Sequence, residues 1–404
     1  MAMKHRKFIP ADERASALLA RRNLKMARSA HAYVRGNTLK FYEWLDSIEG
    51  RALPAGPPVW ICGDCHVGNL GPLADRKGRV EIRIRDLDQT VIGNPAHDLI
   101  RLGLSLATAA RGSDLPGVTT ARMIEQMIEG YEAGLGDAPE AEAARKPDAV
   151  RVVMRQAVSR TWRHLAEERI EDVRPTIPLG KRFWPLTRHE WRAIADLVQT
   201  EPVRRLATAL RSRDDDAAVE LLDAAYWVKG CSSLGRLRLA LLLRIGDGDH
   251  RDGGLCLMDV KEAVQPAAPR DARAAMPRNN GDRVIEGARH LSPALGKRMI
   301  SARLLDRSVF LRELLPQDLK LEIDQLDRSE AMRVARFLAE VVGRAHARQL
   351  EPDDRRKWQA ELARNRSKSL DAPSWLWSSV VALVANHEAA YLDHCRRYAM
   401  TARR

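Results

Sequence analysis

The chain has no run near the roughly 20 consecutive apolar residues that a membrane-spanning helix requires, so no membrane association is expected. Its first residues, MAMKHRKFIPADERASALLARR, lack the apolar core of a secretory signal, which sets the expectation of a cytoplasmic protein. Cysteine is scarce: Cys62, Cys65, Cys231, Cys256 and Cys395 are five in 404 residues, an odd number that argues against a disulfide framework. Cys62-x-x-Cys65 has no second CxxC and no nearby Cys/His pair to complete a tetrahedral zinc site, so the pair reads as small residues packing beside a loop. Zinc-finger and aromatic RNA-binding motifs are also missing. The net charge of +13 therefore rests on arginines dispersed along helical stretches, as at Arg204, Arg205, Arg333 and Arg336. Such a surface serves solvation and favours anionic substrates such as nucleotides. A basic helical nucleic-acid-binding module stays the rival class, with no nucleic-acid partner expected.

What is present is a compact run of chemistry from Trp60 to Ala107. Asp64 and Asn69 lie on a glycine-containing turn after the apolar residues Val59 to Ile61. Val80, Ile82 and Ile84 then alternate with Glu81 and Arg83 as a half-buried strand does, and that strand delivers Asp86 and Asp88. If the two segments pair, Asp64, Asn69 and Asp86 converge at one end of a small sheet. They would offer oxygen ligands for a hard divalent cation and one spare carboxylate, a set suited to phosphoryl transfer. Each fragment alone is ordinary turn or cap chemistry; order and spacing together carry the reading.

Gly63-Asp64-x-His66-x-x-Asn69, Asp86-x-Asp88 and Gly93-Asn94-Pro95-Ala96-His97-Asp98-Leu99 resemble the catalytic half of aminoglycoside-phosphotransferase-like and other protein-kinase-like enzymes, with Cys62 where those enzymes carry histidine. The resemblance implies that Asp64 is the catalytic base, Asn69 and Asp86 are magnesium ligands, and Asp98 is a structural aspartate in the following helix. Upstream, Lys25-Met26 through Arg35-Gly36, taken with GDCHVGNLG, resembles a bacterial family known as domain of unknown function 2252; Arg28 and Arg35 are then candidate phosphate contacts beside the plainer role of surface ion pairing.

From Ala224 to Ala263 the pattern turns strand-like: Tyr226 to Val228, a small-residue turn over 230–235, Leu237 to Ile245, a polar turn over 246–254, and Leu255 to Val260 ending in Lys261-Glu262. This resembles a kinase-like small lobe, in which the loop covers the phosphates and the lysine contacts them. Gly230, Ser232, Ser233 and Gly235 would be the cofactor-binding loop and Lys261 the phosphate-binding lysine. Glu286, on a helix from Asp282 to His290, would pair with Lys261; Glu262 adjoins the lysine but faces the other side of a strand. Ser308 to Leu314 would lead to the hinge.

In a conventional kinase the lysine precedes the catalytic loop, whereas here Asp64 precedes Lys261 by roughly two hundred residues. The resemblance therefore implies a circular permutation, admissible because chain ends lie at surfaces. The expected architecture is α+β: a two-lobed, helix-rich, circularly permuted protein-kinase-like fold. Its expected parts are residues 1–222 (N-terminal helices and catalytic segment), 223–318 (nucleotide-binding small lobe) and 319–404 (C-terminal helices). The implied activity is ATP- and magnesium-dependent phosphoryl transfer to a hydroxyl of a small-molecule acceptor. Its alternatives are nucleotidyl transfer, a silent nucleotide binder, and the nucleic-acid module.

The remaining chain reads as helix and connector. Helices are expected over 12–50 with a break at Gly36, from Leu99 to Ala110 with a stop at Arg111-Gly112, over 118–172 with a loop at 134–147, over 189–222, over 329–350 and from Ser379 to Tyr398. Residues 174–185 carry three prolines and read as an extended connector. Trp162, His164, Trp191, His346, His387 and His394 are expected in packing roles.

Overall fold

The computed structural model describes residues 8–47, 53–112, 117–136, 146–159, 176–210, 213–246, 254–315, 318, 327–364, 366 and 371–398. Within them the class is α+β, as expected. Trp162, His164 and the segments 137–145, 160–175 and 247–253, which hold parts of the expected loops, connector and helix, lie outside the described residues.

The break at Gly36 follows from capping. Helices α1 (Arg14–Met26), α2 (Ala30–Gly36) and α3 (Thr38–Asp46) are separate because Ser29 and Asn37 each turn a side-chain oxygen onto the next helix's free N–H groups, accepting from Ala32 and Lys40. After α3 come four short strands, β1 (Val59–Ile61), β2 (Leu70–Ala74), β3 (Val80–Ile84) and β4 (Val91–Gly93), then α4 (Pro95–Gly112), α5 (Gly117–Leu135) and α6 (Asp148–Ser159). β2 and β3 form an antiparallel hairpin with Leu70 opposite Ile84, whereas β1 pairs with β4. The hairpin, rather than a β1–β3 pairing, is what brings Asn69 beside Arg85 and Asp86.

The main sheet is antiparallel, in the order β5 (Phe183–Trp184), β6 (Val219–Trp227), β7 (Arg238–Ile245), β8 (Leu255–Glu262), β10 (Arg307–Glu313), β9 (Met299–Leu304). Helices α7 (Arg188–Val198) and α8 (Glu201–Ala207) precede β6. Here the expected helix over 189–222 is corrected: it ends at Ala207, and Val219 to Leu221 open β6 because they pair with Arg244 and its neighbours in β7, with Leu222 at a break in the register. That strand also spans the junction between residues 222 and 223. The edge strand β9 escaped the sequence reading; it has only one neighbour and only its two end residues are buried. Helices α9 (Asn280–Leu291) and α10 (Pro293–Gly296) lie between β8 and β9, and α11 (Arg328–Ala347), α12 (Pro352–Ala363) and α13 (Ser374–Tyr398) complete the chain.

Apolar residues gather in three clusters. One joins the short strands with α4, α5, α9 and α11 to α13. The other two cover the two faces of the main sheet, Leu239, Leu241 and Leu243 on one side and Ala240 and Leu242 on the other, the period-two alternation of a sheet packed on both faces. No helix among the described residues is long and apolar enough to cross a membrane.

His387, in α13, is 1% exposed, and burial pulls its imidazole down to about 3, with Arg101 acting in the same direction. Its folded-state pKa lies below the unfolded value, so the native state holds it neutral and the unfolded chain binds a proton below pH 6.5; its contribution to stability is present above that pH and is lost as pH falls towards 3. We expect His387→Gln to flatten the acid side of the stability curve by about one proton, or roughly 1.4 kcal/mol per pH unit. Denaturant unfolding at several pH values checks this; parallel wild-type and variant curves would contradict it.

Candidate functional site

Along β7, β8 and β10 the face that is apolar at Ala240, Leu242, Leu257 and Leu314 becomes charged two residues further on, at Arg238, Asp259, Lys261 and Arg312. Arg238 grips Asp259 with two hydrogen bonds of 2.9 and 2.6 Å, and Arg312 stands 3.7 Å from the same carboxylate. Burial opposes ionisation of Asp259, but Arg238, Arg312 and Lys261 outweigh it and hold the carboxyl well below the usual range. This charged end of the sheet is one wall of a cleft.

The residues before β7 close the rim. Gly230 takes φ +98°, and a side chain there would collide with Ser233 Oγ, so the turn requires glycine. Lys25, from α1, donates to the Gly230 carbonyl at 2.6 Å and fixes the loop from outside the sheet.

The opposite wall comes from the loop 62–69 and the end of β3. Gly63 has φ +73°, and a Cβ there would lie 2.2 Å from the Gln89 carbonyl oxygen. The loop is anchored by Asp98 at the start of α4, whose carboxylate accepts from the N–H groups of Cys62 (2.7 Å) and Gly63 (3.0 Å). His346 Nε2 lies 3.3 Å from Asp98, its Nδ1 lies 2.9 Å from the Tyr131 hydroxyl, and Trp358 donates to that hydroxyl at 3.1 Å. The structural roles expected of Asp98 and His346 thus have a geometry: a buried polar chain from α12 to the loop. Cys62 and Cys65 are buried free thiols; their mutual hydrogen bond and then burial raise Cys62 well above its ordinary value.

The walls meet at Lys261. Its ammonium, on a side chain 5% exposed, lies 3.0 Å from Asp86 and 3.5 Å from Asp88. Burial disfavours the Asp86 anion, yet Lys261, a hydrogen bond from Asp88 and Arg312 hold its carboxyl well below the usual range. Asp88 goes the other way, pushed above the usual carboxylate range by burial and by the neighbouring charge of Asp86. His66 also lines the cleft, pulled well below its ordinary value by burial and then by Arg35 and Arg101.

Of the residues singled out from sequence, Asn69, Asp86, Gly230, Ser232, Ser233, Lys261 and Arg35 line this one cleft, although 175 positions separate Asp86 from Lys261. Arg28 is not among its lining residues. Asp64 is not brought to it either: it is 6% exposed, and its carboxylate accepts from Arg101 Nε and Thr38 Oγ1, each at 2.8 Å. The expected pair of Lys261 with Glu286 does not form. Glu286 lies on the outward side of α9, paired with Arg289 at 3.1 Å and His290 at 3.3 Å. The buried arginine of that helix, Arg283, instead donates to the carbonyls of Thr90, Asp88 and Val264. Gly235 is corrected too: with φ +97° it ends the loop and faces a separate depression beside Arg14 and Arg307. Glu262 faces away from Lys261 as expected, accepting from the Leu237 N–H and Arg307.

Sequence reasoning passed over Arg85, Arg238, Arg312 and Lys25. The signal for Arg238, Asp259 and Arg312 was the strand period itself, which puts them on the lysine's face. For a metal ion, the carboxylates of Asp86 and Asp88 and the amide oxygen of Asn69, whose Nδ2 donates to the Asp64 carbonyl at 3.0 Å, are the hard oxygen donors that magnesium prefers. Among the described residues no group of three or more His, Cys, Asp or Glu side chains is placed to hold a metal. Magnesium is commonly held by one or two carboxylates together with substrate phosphates and water.

Fold and cleft together define an α+β protein whose charged concavity joins the charged end of an antiparallel sheet to the end of a β-hairpin that carries Asp86. The chain belongs to the bacterial family described as "Uncharacterized protein conserved in bacteria (DUF2252)", whose model matches residues 14–397. Neither a curated protein nor a solved structure matches it.

The anchoring role of Asp98 is measurable. Asp98→Ala leaves two buried loop N–H groups and His346 without their acceptor, and we expect a loss on the order of 3 kcal/mol in unfolding free energy. Denaturant titration checks it; a loss within about 0.5 kcal/mol of zero, the range of ordinary surface substitutions, would contradict the assignment.

Proposed function

We propose that this protein is an ATP- and magnesium-dependent phosphotransferase acting on a hydroxyl of a small molecule, with a two-lobed protein-kinase-like fold in circularly permuted order. One observation carries the reading: the turn at Gly230 to Ser233 and the lysine of β8 meet Asp86 and Asn69 of a distant hairpin in a single cleft. The order strand, small-residue loop, strand, turn, lysine-bearing strand, helix, two further strands supports the small-lobe assignment for β6 to β10. In this reading Lys261 and the loop backbone hold the phosphates, and Asn69 and Asp86 hold magnesium, with Asp88 beside them. Bound magnesium supplies charge neutralisation of the phosphate oxygens. The acceptor oxygen bonds to the terminal phosphorus as the bond to the bridging oxygen breaks; ADP leaves, and the hydroxyl proton passes to a carboxylate. Asp64 serves as that carboxylate only after leaving Arg101 and Thr38. Lys261 is oriented by Asp86 and Asp88 in place of Glu286.

A second reading, a nucleotide binder that is catalytically silent or transfers the nucleotidyl group, is favoured by one observation: Asp64 is engaged on both oxygens by Arg101 and Thr38.

Thermal unfolding with and without magnesium and ATP tests nucleotide binding, since a ligand that binds only the folded state raises the midpoint. We expect a rise of several degrees that needs both components and is lost in Lys261→Ala and Asp86→Asn. No rise, an equal rise in the variants, or a rise with oligonucleotide alone would overturn the reading. Turnover of ATP by Asp64→Asn separates the two readings: the phosphotransferase loses activity with nucleotide binding retained.

A further inference from the structure

Lys261 is already neutralised by Asp86 and Asp88, so it is not the strongest unmet demand for an anion in the cleft. Seven lysine and arginine side chains line it against a single carboxylate, Asp86. Arg238 is satisfied by its two bonds to Asp259. Arg85 and Arg312 are not. Arg312 gives Nη1 to the Arg85 carbonyl at 3.0 Å and stands 3.7 Å from Asp259, a carboxylate that Arg238 already holds. Arg85 gives Nη2 to the Asp318 carbonyl at 3.1 Å, while the Asp318 carboxylate lies 3.5 Å from Arg298. The buried nitrogens Arg85 Nε, Arg85 Nη1 and Arg312 Nε meet no hydrogen-bond partner among the described residues. Buried guanidinium groups left this way are costly, and the fork of N–H donors matches the oxygens of a phosphate or a carboxylate; seven lining cations against one carboxylate favour the more highly charged of the two.

We propose that Arg85 and Arg312 form an anion subsite in the wall of the cleft where the end of β3 meets β10, and that it takes a phosphate group of a phosphorylated ligand without a metal ion. The subsite deepens the phosphotransferase reading, on which it rests for the identity of the ligand but not for the binding itself. Phosphate would then be recognised by two guanidinium groups in addition to Lys261, which stays with its carboxylates until magnesium enters.

Isothermal titration with sodium tripolyphosphate in the presence of a chelator tests this on the full chain. Wild type binds, and Arg85→Met weakens binding by about tenfold or more, the effect of losing a charge-assisted donor pair. Arg312→Lys, which keeps the charge but loses the fork, weakens it also and serves where Arg85→Met does not fold. The exposed double substitution Arg204→Ala/Arg205→Ala leaves binding unchanged. Absence of metal-free binding, an unaffected Arg85→Met or Arg312→Lys that is folded, or an equal loss in the surface variant would overturn the subsite. Displacement of tripolyphosphate by ATP assigns the subsite to the nucleotide; simultaneous binding assigns it to a phosphorylated acceptor, and either leaves it standing. Tripolyphosphate binding without any effect of magnesium and ATP would remove the nucleotide reading and keep the subsite.

Discussion

An ammonium with almost no exposure to water cannot stand alone, because transferring a charge out of water without a partner costs several kcal/mol. Lys261 is in that position, and its partners, Asp86 and Asp88, are supplied by the end of the β3 hairpin rather than by its own sheet. The pairing ties the main sheet to the hairpin across the cleft. Arg312 adds a second tie, donating from β10 to the Arg85 carbonyl, and Arg283 a third, holding three backbone carbonyls around the same segment. The cleft exists because these charged groups prevent the walls from either separating or collapsing into an apolar contact.

Behind the hairpin, a second set of charges fixes the loop. Asp98 receives two backbone N–H groups and is backed by His346, Tyr131 and Trp358. Arg101, 0% exposed, binds Asp64 and the Val34 carbonyl together, so the loop is joined to α2 as well. Of the Arg101 nitrogens only Nη1 meets no partner among the described residues, and the bonds made by the others stiffen the loop. The same network explains why Asp64 faces the interior: the guanidinium that would otherwise be buried unpaired requires that carboxylate.

Most elements were legible in the sequence because their signals are local. The alternation of Val80, Ile82 and Ile84 marks β3, and the change to strand-like pattern after Ala224 marks β6 to β8. The joint spacing of Asp64, Asn69, Asp86 and Asp98 marked the stretch that supplies one wall of the cleft. What failed was orientation. Glu286 was assigned to Lys261 by analogy, yet the inward side of its helix is set by Val284, Gly287, Ala288 and Leu291, a stripe that turns Glu286 outward and Arg283 inward. Asp64 takes the role of catalytic base from the resemblance alone; its partners, Arg101 and Thr38, come from two different helices. Arg85 and Arg312 gain meaning only when β3 and β10 are brought together, which no single-segment pattern encodes.

The account turns on the cleft being a nucleotide site, and the most direct measurement is a crystal structure of the protein grown with magnesium and a non-hydrolysable ATP analogue. The account predicts phosphate density within hydrogen-bonding reach of Lys261, with the metal on Asp86 and Asn69. Clear density for the analogue elsewhere on the molecule, with Lys261 still bound to Asp86 and Asp88 and the cleft holding solvent alone, would contradict it.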